Sequence, residues 1–510
     1  MYHIMRSKRA IKNIIISVLL QIITLICGFI VPKLLISSFG SNVNGLVSSI
    51  TQFLAYITLL ESGMGAVVKS ALYKPLSEKN NEKISNILYA TERFFKKIAI
   101  IFLAYIIVLC IIFPIIVHAE FSSIFTISLI VIIAISIFAE YYFGMTYRLF
   151  LKANQEAYVV SYIQIITTVI NAIAVVILVK VGVNIQIVKL TSAIIFITRP
   201  IAQNIYVKRK YKLNIKKADR SYKLEQKWNG LSQHIAAVIH DNTDIAVLTI
   251  FSNFAEVSVY SVYALVIKGI KNLVDSLMGG MDAAFGDMIA KNEIKTLNES
   301  FKSYELFYYT IITIIFICTI VLITPFVSVY TSGISDVNYI RPLFGFLIVI
   351  SEFIFAIRIP YNTLALSAGH FKQTMKGAWV EAVTNIIISI ILVYKFGIVG
   401  VAIGTLVAML IRTSEFIYYS SKKILCRSIW YSIKWILIIV ANMIIVLTIN
   451  NLIKPYFVIN SYMSWIKYAI CIGTIATLIV LVNDIIFHRS ELKEVLTKIK
   501  KISNLKQAHF

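Results

Sequence analysis

The chain has 510 residues, of which 58% are apolar and only 15% are charged. Soluble domains average about 45–50% apolar and about 25% charged residues, so this composition excludes a water-soluble globular protein. The formal net charge of +24 would favour nucleic acid binding in a soluble protein. Here the basic residues are concentrated between apolar runs, where they set membrane topology and meet anionic lipid headgroups. We therefore expect anionic membrane lipids, and no nucleic acid, as partners.

Apolar runs recur along almost the whole sequence. A helix needs about 20 mostly apolar residues to span the hydrocarbon core of a bilayer. Runs of that length predict about 14 transmembrane helices, with bounds at 14–36, 43–66, 94–117, 122–146, 157–179, 183–205, 229–250, 256–288, 304–329, 340–366, 376–395, 397–420, 429–450 and 464–486. The predicted fold class is an all-α polytopic membrane protein.

The connections between these runs differ sharply in charge. Those predicted to face one side are rich in lysine and arginine, and the connection 206–228 alone holds nine basic and two acidic residues. Four opposite connections, at 37–44, 118–123, 252–256 and 331–338, contain no lysine or arginine, and only Lys180, Lys395, Lys454 and Lys467 break the pattern. Basic loops stay in the cytoplasm, so this asymmetry predicts that both termini are cytoplasmic and that the number of spans is even.

The two halves of the sequence resemble one another at a nearly constant offset. Lys79 and Lys291 are 212 residues apart, and each is followed by asparagine. Pro114 and Pro325, near the outer ends of the third and ninth spans, are 211 residues apart. Six helices in each repeat give both copies the same topology, so we expect two six-helix lobes related by a pseudo-two-fold axis along the membrane normal, with a cleft between them.

The repeat predicts the domain organisation. In chain order we expect an N-lobe at 1–205, a basic cytoplasmic linker at 206–228, a C-lobe at 229–420, two further helices at 421–486 and a tail at 487–510. The tail has apolar residues at helical spacing with lysines between them, which predicts a basic amphipathic helix on the inner leaflet.

Six plus six helices, a basic linker and two appended spans resemble the multidrug/oligosaccharidyl-lipid/polysaccharide (MOP) exporter superfamily, with a MATE-like fold. Within it, the sequence is most similar to the Wzx-type polysaccharide-biosynthesis flippases. The similar segments are Leu59-Leu-Glu-Ser-Gly-Met-Gly65, Ala71-Leu-Tyr-Lys-Pro-Leu76, Asn242-Thr-Asp244 and Val257-Ser-Val-Tyr-Ser261. The resemblance implies a multi-pass protein of the bacterial cytoplasmic membrane that moves an undecaprenyl-diphosphate-linked oligosaccharide to the outer leaflet. It also implies a polysaccharide polymerase and glycosyltransferases as partners.

Four basic residues within or at the ends of spans are candidates for binding the substrate diphosphate. Ionisable groups within spans cost about 2.5–3.5 kcal/mol on insertion scales and usually face a cavity or a partner. A diphosphate needs cations in a low-dielectric cleft, and arginine and lysine provide them. The candidates are Lys33, Arg148, Lys268 and Arg358. For Lys33 and Arg148 the alternative is snorkelling near a span end, and for Lys268 and Arg358 it is a buried ion pair.

Polar side chains on three predicted spans are candidates for ion or proton coupling. Asp241 and Asp244 share a face of the seventh span, and Glu381 and Asn385 share a face of the eleventh. With Thr405 of the twelfth span, their oxygens suit a titratable proton site or a small hard cation. Related flippases have a sodium site among the equivalent helices, so the resemblance implies Na⁺ at Asp241, Asp244 and Asn385. The alternative is a buried structural polar cluster.

Other residues have structural or gating interpretations. Glu61 precedes a small-residue segment that favours close helix packing, and Pro360 is a candidate hinge. No nucleotide-binding, HExxH or GxSxG motif occurs, and no loop is long enough for a catalytic domain. The sequence thus predicts a transporter without an organic cofactor. The alternatives to an oligosaccharide flippase are a lipid II flippase and a multidrug extruder that exchanges organic cations for Na⁺ or H⁺.

Overall fold

The computed structural model describes residues 2–492, apart from residues 62, 118–119, 212, 214–217, 223, 225–230, 277–280 and 490. It further omits the side chains of residues 2–8, 10, 231–234, 236–237, 240–241, 275–276 and 283. Most of the predicted amphipathic tail at 487–510 lies outside the described residues. Every element assigned within them is helical.

The first ten helices lie between residues 2 and 276. They are α1 (Tyr2–Phe39), α2 (Ser41–Ala55), α3 (Met64–Ser77), α4 (Asn81–Val117), α5 (Ser123–Ala139), α6 (Met145–Ala153), α7 (Ala157–Val181), α8 (Ile185–Lys210), α9 (Leu231–Phe251) and α10 (Phe254–Ser276). A 3₁₀ turn (Tyr56–Leu60) follows α2, and a π turn (Glu140–Gly144) joins α5 to α6.

Seven further helices complete the described chain. They are α11 (Met281–Ala290), α12 (Ile294–Tyr330), α13 (Pro342–Ser367), α14 (Met375–Phe396), α15 (Ile398–Lys423), α16 (Trp430–Ile453) and α17 (Tyr462–Phe487). A short 3₁₀ turn (Lys454–Tyr456) ends α16.

Thirteen helical segments among the described residues are long and apolar enough to cross a membrane. The remaining predicted span, 229–250, coincides with α9, in which the described apolar stretch is the shorter Asn242–Phe251. Because many isoleucine, leucine and valine side chains of these helices are exposed at their surface, lipid must be their solvent. The predicted fold class, an all-helical multi-pass membrane protein, is therefore confirmed.

Two short helices, α3 and α11, were not predicted. The predicted second span, 43–66, ends in the 3₁₀ turn, and α3 begins after Gly63, whose φ is +73°. The predicted eighth span, 256–288, covers α10 and α11, between which residues 277–280 are not described. Hydropathy alone extended both predicted spans because α3 and α11 begin with apolar and small residues.

Contacts between residues divide the chain into two compact units, Met1–Ser258 and Val259–Phe510. Helix α9 is thus described with the first unit, and the lobe boundaries predicted from the repeat stay a prediction. The core of the first unit includes Leu46, Leu54, Phe102, Leu129 and Phe150, all fully buried. These side chains come from α2, α4, α5 and α6.

Helix α12 packs against α11, α13, α16 and α17 in the second unit. Phe316 stacks on Phe353 of α13, with ring centroids 4.9 Å apart. Ile317 packs with Val446 of α16 and Ala476 of α17 in a fully buried group. The two helices appended to the repeat, α16 and α17, therefore pack against α12 through apolar side chains.

The internal repeat recurs in the backbone at two helix ends of each unit. Lys79 and Asn292, 213 residues apart, both have positive φ, as do Gln155 and Gly369, 214 residues apart. At all four positions the amide bonds to the carbonyl three residues back, and the next amide bonds to the carbonyl five residues back. This is the Schellman arrangement that ends a helix. Corresponding helices of the two repeats therefore end in the same way.

Candidate functional sites

A buried charged cluster lies where α13, α14 and α15 meet. Arg358 Nη1 lies 2.8 Å from Glu381 Oε1, and Arg412 Nε lies 3.5 Å from Glu381 Oε2. Arg412 Nη1 also lies 2.5 Å from Glu415 Oε2 and donates a hydrogen bond of 2.8 Å to the Thr374 carbonyl. Two guanidinium groups thus face two carboxylates, and this pairing offsets much of the cost of burying charge.

Gly377 of α14 makes room for this cluster. A Cβ at this position would lie 1.5 Å from Glu415 Oε2 and 2.2 Å from Arg412 Nη1. The Phe416 ring covers the other side of the guanidinium, with its centroid 4.2 Å from Arg412 Cζ. The absent side chain and the aromatic ring together fix Arg412 against its carboxylate.

One turn along α14, a neutral polar group adjoins the charged cluster. Asn385 Nδ2 donates to Thr405 Oγ1 at 3.3 Å, and Ser389 Oγ donates to Asn385 Oδ1 at 3.2 Å. Close packing makes this contact, since a Cβ on Gly404 would lie only 2.2 Å from Ser389 Oγ. The structure thus brings three predicted coupling residues, Glu381, Asn385 and Thr405, onto neighbouring buried turns of α14 and α15.

The structure also joins two residues that the sequence analysis assigned to different roles. Arg358 was predicted to bind the diphosphate and Glu381 to bind the coupling ion, yet their side chains form one buried ion pair. The ion pair was the alternative interpretation of Arg358. Either predicted role stays a prediction, and each requires this pair to open.

The remaining predicted coupling residues lie on α9 of the first unit. The side chain of Asp241 lies outside the described residues. Asp244 is buried and interacts electrostatically with the Tyr56 hydroxyl. Among the described side chains, no group of three histidines, cysteines or carboxylates could hold a metal ion.

Polar side chains connect α2 to α9 and to the start of α10. Three side-chain pairs are hydrogen bonded: Asn44 with Ser258 at 2.9 Å, Ser49 with Thr249 at 2.7 Å, and Gln52 with Asn242. The backbones approach closely, because a Cβ on Gly45 would lie 1.9 Å from the Phe254 carbonyl oxygen. This α2–α9 contact is directional and polar, and therefore can separate and re-form at a lower cost than an apolar core.

Arg148, a predicted diphosphate-binding residue, lies beside the π turn of the first unit. Its Nη1 atom lies 3.0 Å from Glu140 Oε1, and about a quarter of each side chain is exposed. The next residue of the turn, Tyr141, donates a hydrogen bond to Glu61. Glu61, predicted to be structural or gating, thus binds a tyrosine hydroxyl. A π turn changes which face of a helix its residues occupy and is frequent at functional sites.

The other predicted residues lie apart from these clusters. Lys33 is half-buried on α1, and Lys268 is exposed on α10. Pro360 lies within α13, which continues past it to Ser367. Of the four predicted cations, Lys33 and Arg148 belong to the first unit, and Lys268 and Arg358 to the second.

Sequence analysis missed a buried ion pair that connects α12 to the segment before α16. Two guanidinium nitrogens of Arg427 lie 2.7 and 2.6 Å from the carboxylate oxygens of Glu305, and the Tyr361 hydroxyl donates to Glu305 at 2.6 Å. Burial alone would lower the pKa of Arg427, but the Glu305 carboxylate raises it above its usual value. The sequence signal that could have indicated this ion pair is the presence of opposite charges, Glu305 and Arg427, at the inner ends of two predicted spans.

Glu156 is a second missed carboxylate, fully buried before α7. It lies 2.5 Å from Lys210 Nζ at the end of α8 and 3.7 Å from Arg9 of α1. Because Glu156 lies just outside an apolar run, a search restricted to charges within spans omitted it. It joins the ends of three helices, α1, α7 and α8.

No protein-family model and no curated protein matches this sequence. Solved structures do share its fold. The lipid II flippase MurJ in an inward closed conformation matches with a TM-score of 0.67 at 18% identity, covering 94% of this chain and 100% of that chain. An inward-facing multidrug resistance MATE family transporter of the MOP superfamily matches with a TM-score of 0.61 at 13% identity, covering 78% of this chain and 95% of that chain. A eukaryotic MATE transporter matches with a TM-score of 0.53 at 15% identity, covering 81% and 95%. The chain therefore has the fold of the MOP superfamily transporters, as the sequence resemblance predicted.

Proposed function

We propose that this protein is a flippase that moves undecaprenyl-diphosphate-linked oligosaccharide units from the inner to the outer leaflet of a bacterial cytoplasmic membrane. The product would supply the synthesis of capsule, O-antigen or another cell-surface polysaccharide. The main support is the likeness to a lipid II flippase over 94% of the chain. The two MATE structures cover 78% and 81% of it, so the additional shared length favours a lipid substrate over an organic cation.

The chemistry of the spans also supports a lipid diphosphate. A multiply charged headgroup cannot cross hydrocarbon unaided, because transferring unpaired charge out of water is very costly. Arg148 is partly exposed and forms an ion pair with Glu140, so a diphosphate can displace the carboxylate and form charge-assisted hydrogen bonds with the guanidinium. Lys268 is exposed, and Lys33 is half-buried, so both can contribute point charges.

Transport would proceed by alternating access. The substrate site opens to one face of the membrane at a time, so contacts between helices of the two repeats must form and separate in each cycle. The polar α2–α9 contact supports this proposal because its hydrogen bonds can be exchanged for water. The glycosyltransferases that build the lipid-linked unit and the polymerase that uses it would be the functional partners.

We propose Na⁺ or H⁺ as the coupling ion, with Asp241 and Asp244 as coupling residues of the first unit and Glu381, Asn385 and Thr405 as coupling residues of the second. Support comes from the adjacency of the last three residues on α14 and α15. Transport driven by an imposed Na⁺ gradient but indifferent to a proton gradient would assign the coupling to Na⁺.

A lipid II flippase is the second candidate. The observation that favours it is the lipid II flippase MurJ fold itself. Both substrates are lipid diphosphates, so the same cations serve either one, and the distinction depends on the saccharide.

The decisive experiment is reconstitution into proteoliposomes. Protein in vesicles containing an undecaprenyl-diphosphate oligosaccharide should expose the glycan to an external glycosidase faster than empty vesicles do. We expect Arg148→Gln and Lys268→Ala to slow this transfer about tenfold or more, because each removes a charge-assisted contact worth about 1.5–3 kcal/mol. Lys83→Ala, which removes an exposed lysine on α4, is the matched control and should transport normally.

Parallel vesicles distinguish the candidates. Transfer of lipid II in preference to the oligosaccharide lipid would establish the second candidate. Efflux of organic cations without transfer of either lipid would overturn both in favour of a multidrug extruder.

A further inference from the structure

A basic pocket lies beside α4 in the first unit and is lined by none of the residues assigned to transport. Its volume is about 950 Å³, and its walls are α4, α6, α8 and the connection that follows α8. Five cations and one carboxylate line it: Arg93, Lys96, Lys97, Lys208, Arg220 and Glu92.

Most of these cations are available to a ligand. Lys96 Nζ lies 2.6 Å from Glu92 Oε1, so these two charges offset each other. Within the described part of the chain, the other four cations have no carboxylate partner. Lys97 and Lys208 are exposed, as are Arg93 and Arg220. The pocket therefore has a strong local excess of positive charge.

The wall that includes Arg220 is ordered by specific contacts. The Asp219 amide donates to Asn86 Oδ1 of α4 at 2.8 Å. The Ser221 hydroxyl and amide donate to Asp219 Oδ1 at 2.7 and 2.8 Å, and these bonds lower the pKa of Asp219. Leu213 packs against the core of the unit. The basic connection after α8 is thus attached to α4 at this point, and Arg220 is positioned at the pocket by its neighbours.

The pocket opens onto an apolar stripe along α4. Ile100 lines the pocket and is 61% exposed, and Leu103, Ile107 and Ile111 continue the exposed face at three- and four-residue spacing. From Ile100 to Ile111 the helix rises about 16 Å, roughly half of the ~30 Å hydrocarbon core. The stripe is therefore about as long as one leaflet is thick.

We propose that this pocket binds the phosphate headgroup of an anionic phospholipid, with an acyl chain along the α4 stripe. Lysine and arginine clusters at the inner end of membrane helices attract anionic headgroups, and guanidinium groups bind phosphate oxygens through paired hydrogen bonds. A soluble phosphate would use the cations and leave the stripe unused. Neither Arg148 nor Lys268 lines this pocket, so the proposal does not rest on the transport function.

The test is native mass spectrometry of the delipidated full-length protein in mild detergent, titrated with phosphatidylglycerol or with phosphatidylcholine of identical chains. We expect phosphatidylglycerol to bind about tenfold more tightly, with an affinity that decreases as salt is added. The triple variant Arg93→Ala/Lys97→Ala/Lys208→Ala should lose about tenfold or more of this affinity. Lys83→Ala/Lys422→Ala/Lys423→Ala removes the same charge from exposed positions elsewhere and should stay within about twofold of wild type.

Equal losses in the two triple variants would overturn the site, since non-specific surface charge would then explain the binding. Equal binding of both lipids, or displacement of phosphatidylglycerol by inorganic phosphate, would overturn a lipid headgroup as the ligand. If the pocket triple variant does not fold, the single exposed substitution Lys97→Glu provides the same comparison against Lys83→Glu.

Discussion

Glu381 is the carboxylate shared by the two buried arginines of the second unit. Its two oxygens lie 2.8 Å from Arg358 and 3.5 Å from Arg412, and its side chain is only 8% exposed. Breaking a buried ion pair by removing one partner costs more than the pair itself contributes, because an uncompensated charge stays behind. The stability of α13, α14 and α15 should therefore depend on this one side chain.

We expect Glu381→Gln to destabilise the protein by about 3–5 kcal/mol, since it leaves two buried guanidinium groups with one carboxylate. Thermal unfolding in detergent measures the change. Glu415→Gln is the matched control, because its side chain is 32% exposed and water can compensate the loss. If the two substitutions lowered the melting temperature equally, the burial of Glu381 would not be the cause.

Sequence reasoning identified both partners of this pair but not the pair. Arg358 and Glu381 are costly within a span, so each was recognisable as a residue with a partner or a cavity. Which partner it meets depends on how α13 and α14 are rotated about their axes, and apolar helices of uniform hydropathy do not specify that rotation. The same limit explains why Glu305 and Arg427, 122 residues apart in sequence, were not connected.

His488 provides a pH-dependent contribution at the end of α17. Its ring stacks on Trp435 with centroids 3.7 Å apart, and it is 2% exposed. The pKa of His488 is lowered to about 4, mainly by burial; Glu491 opposes the shift and Lys434 adds to it. A histidine with a lowered folded-state pKa favours folding while it is neutral. Its contribution is complete above pH 6.5 and is lost as the pH falls towards 4.

Lowering the pH from 8 to 5 should therefore cost about 2 kcal/mol of stability through this residue. Melting temperatures of wild type and His488→Phe across that range measure it. The phenylalanine retains the stacking and cannot be protonated, so its melting temperature should decrease less with pH. Parallel curves for the two proteins would show that His488 does not titrate in this range.

At the scale of helices, α2 and α9 differ from the apolar packing around them. Their contact consists of hydroxyl and amide pairs and one close backbone approach at Gly45. A packed apolar core has no alternative partners for its side chains, whereas these polar groups can bond to water when the helices separate. The contact is therefore the part of the first unit best suited to opening in a transport cycle.

A disulfide across this contact should stop transport. The Ser49 and Thr249 hydroxyls lie 2.7 Å apart, so Ser49→Cys/Thr249→Cys, in a background without the native cysteines, should form a bond under mild oxidation. We expect transport in the proteoliposome assay to cease on oxidation and to return on reduction. Thr51→Cys/Ile250→Cys, on exposed faces of the same helices, should neither bridge nor respond. Full transport with the Ser49–Thr249 bridge formed would show that these helices stay together.

At the scale of the whole molecule, hydropathy predicted the thirteen spans found among the described residues, and their order, because each must satisfy its own backbone in lipid. The repeat was visible for a related reason, since helix ends need particular residues, such as glycine at 369 and asparagine at 292. The π turn at Glu140–Gly144 and the short helices α3 and α11 were not predicted. They depend on neighbouring helices and not on a local pattern.

The predicted membrane topology depends on whether α9 spans the membrane. Ser77, at the end of α3, and Cys426, after α15, are both exposed and both predicted to be cytoplasmic. They lie on the same side only if α9 crosses, because the other helices between them provide an odd number of spans.

In cells with single cysteines at these positions, an impermeant maleimide should label neither until the membrane is permeabilised. Ser335→Cys, in the exposed connection between α12 and α13, should be labelled in intact cells. Labelling of only one of the two positions, Ser77→Cys or Cys426, from outside would remove α9 from the spans. Labelling of both, with Ser335→Cys protected, would place the termini outside and contradict the charge asymmetry.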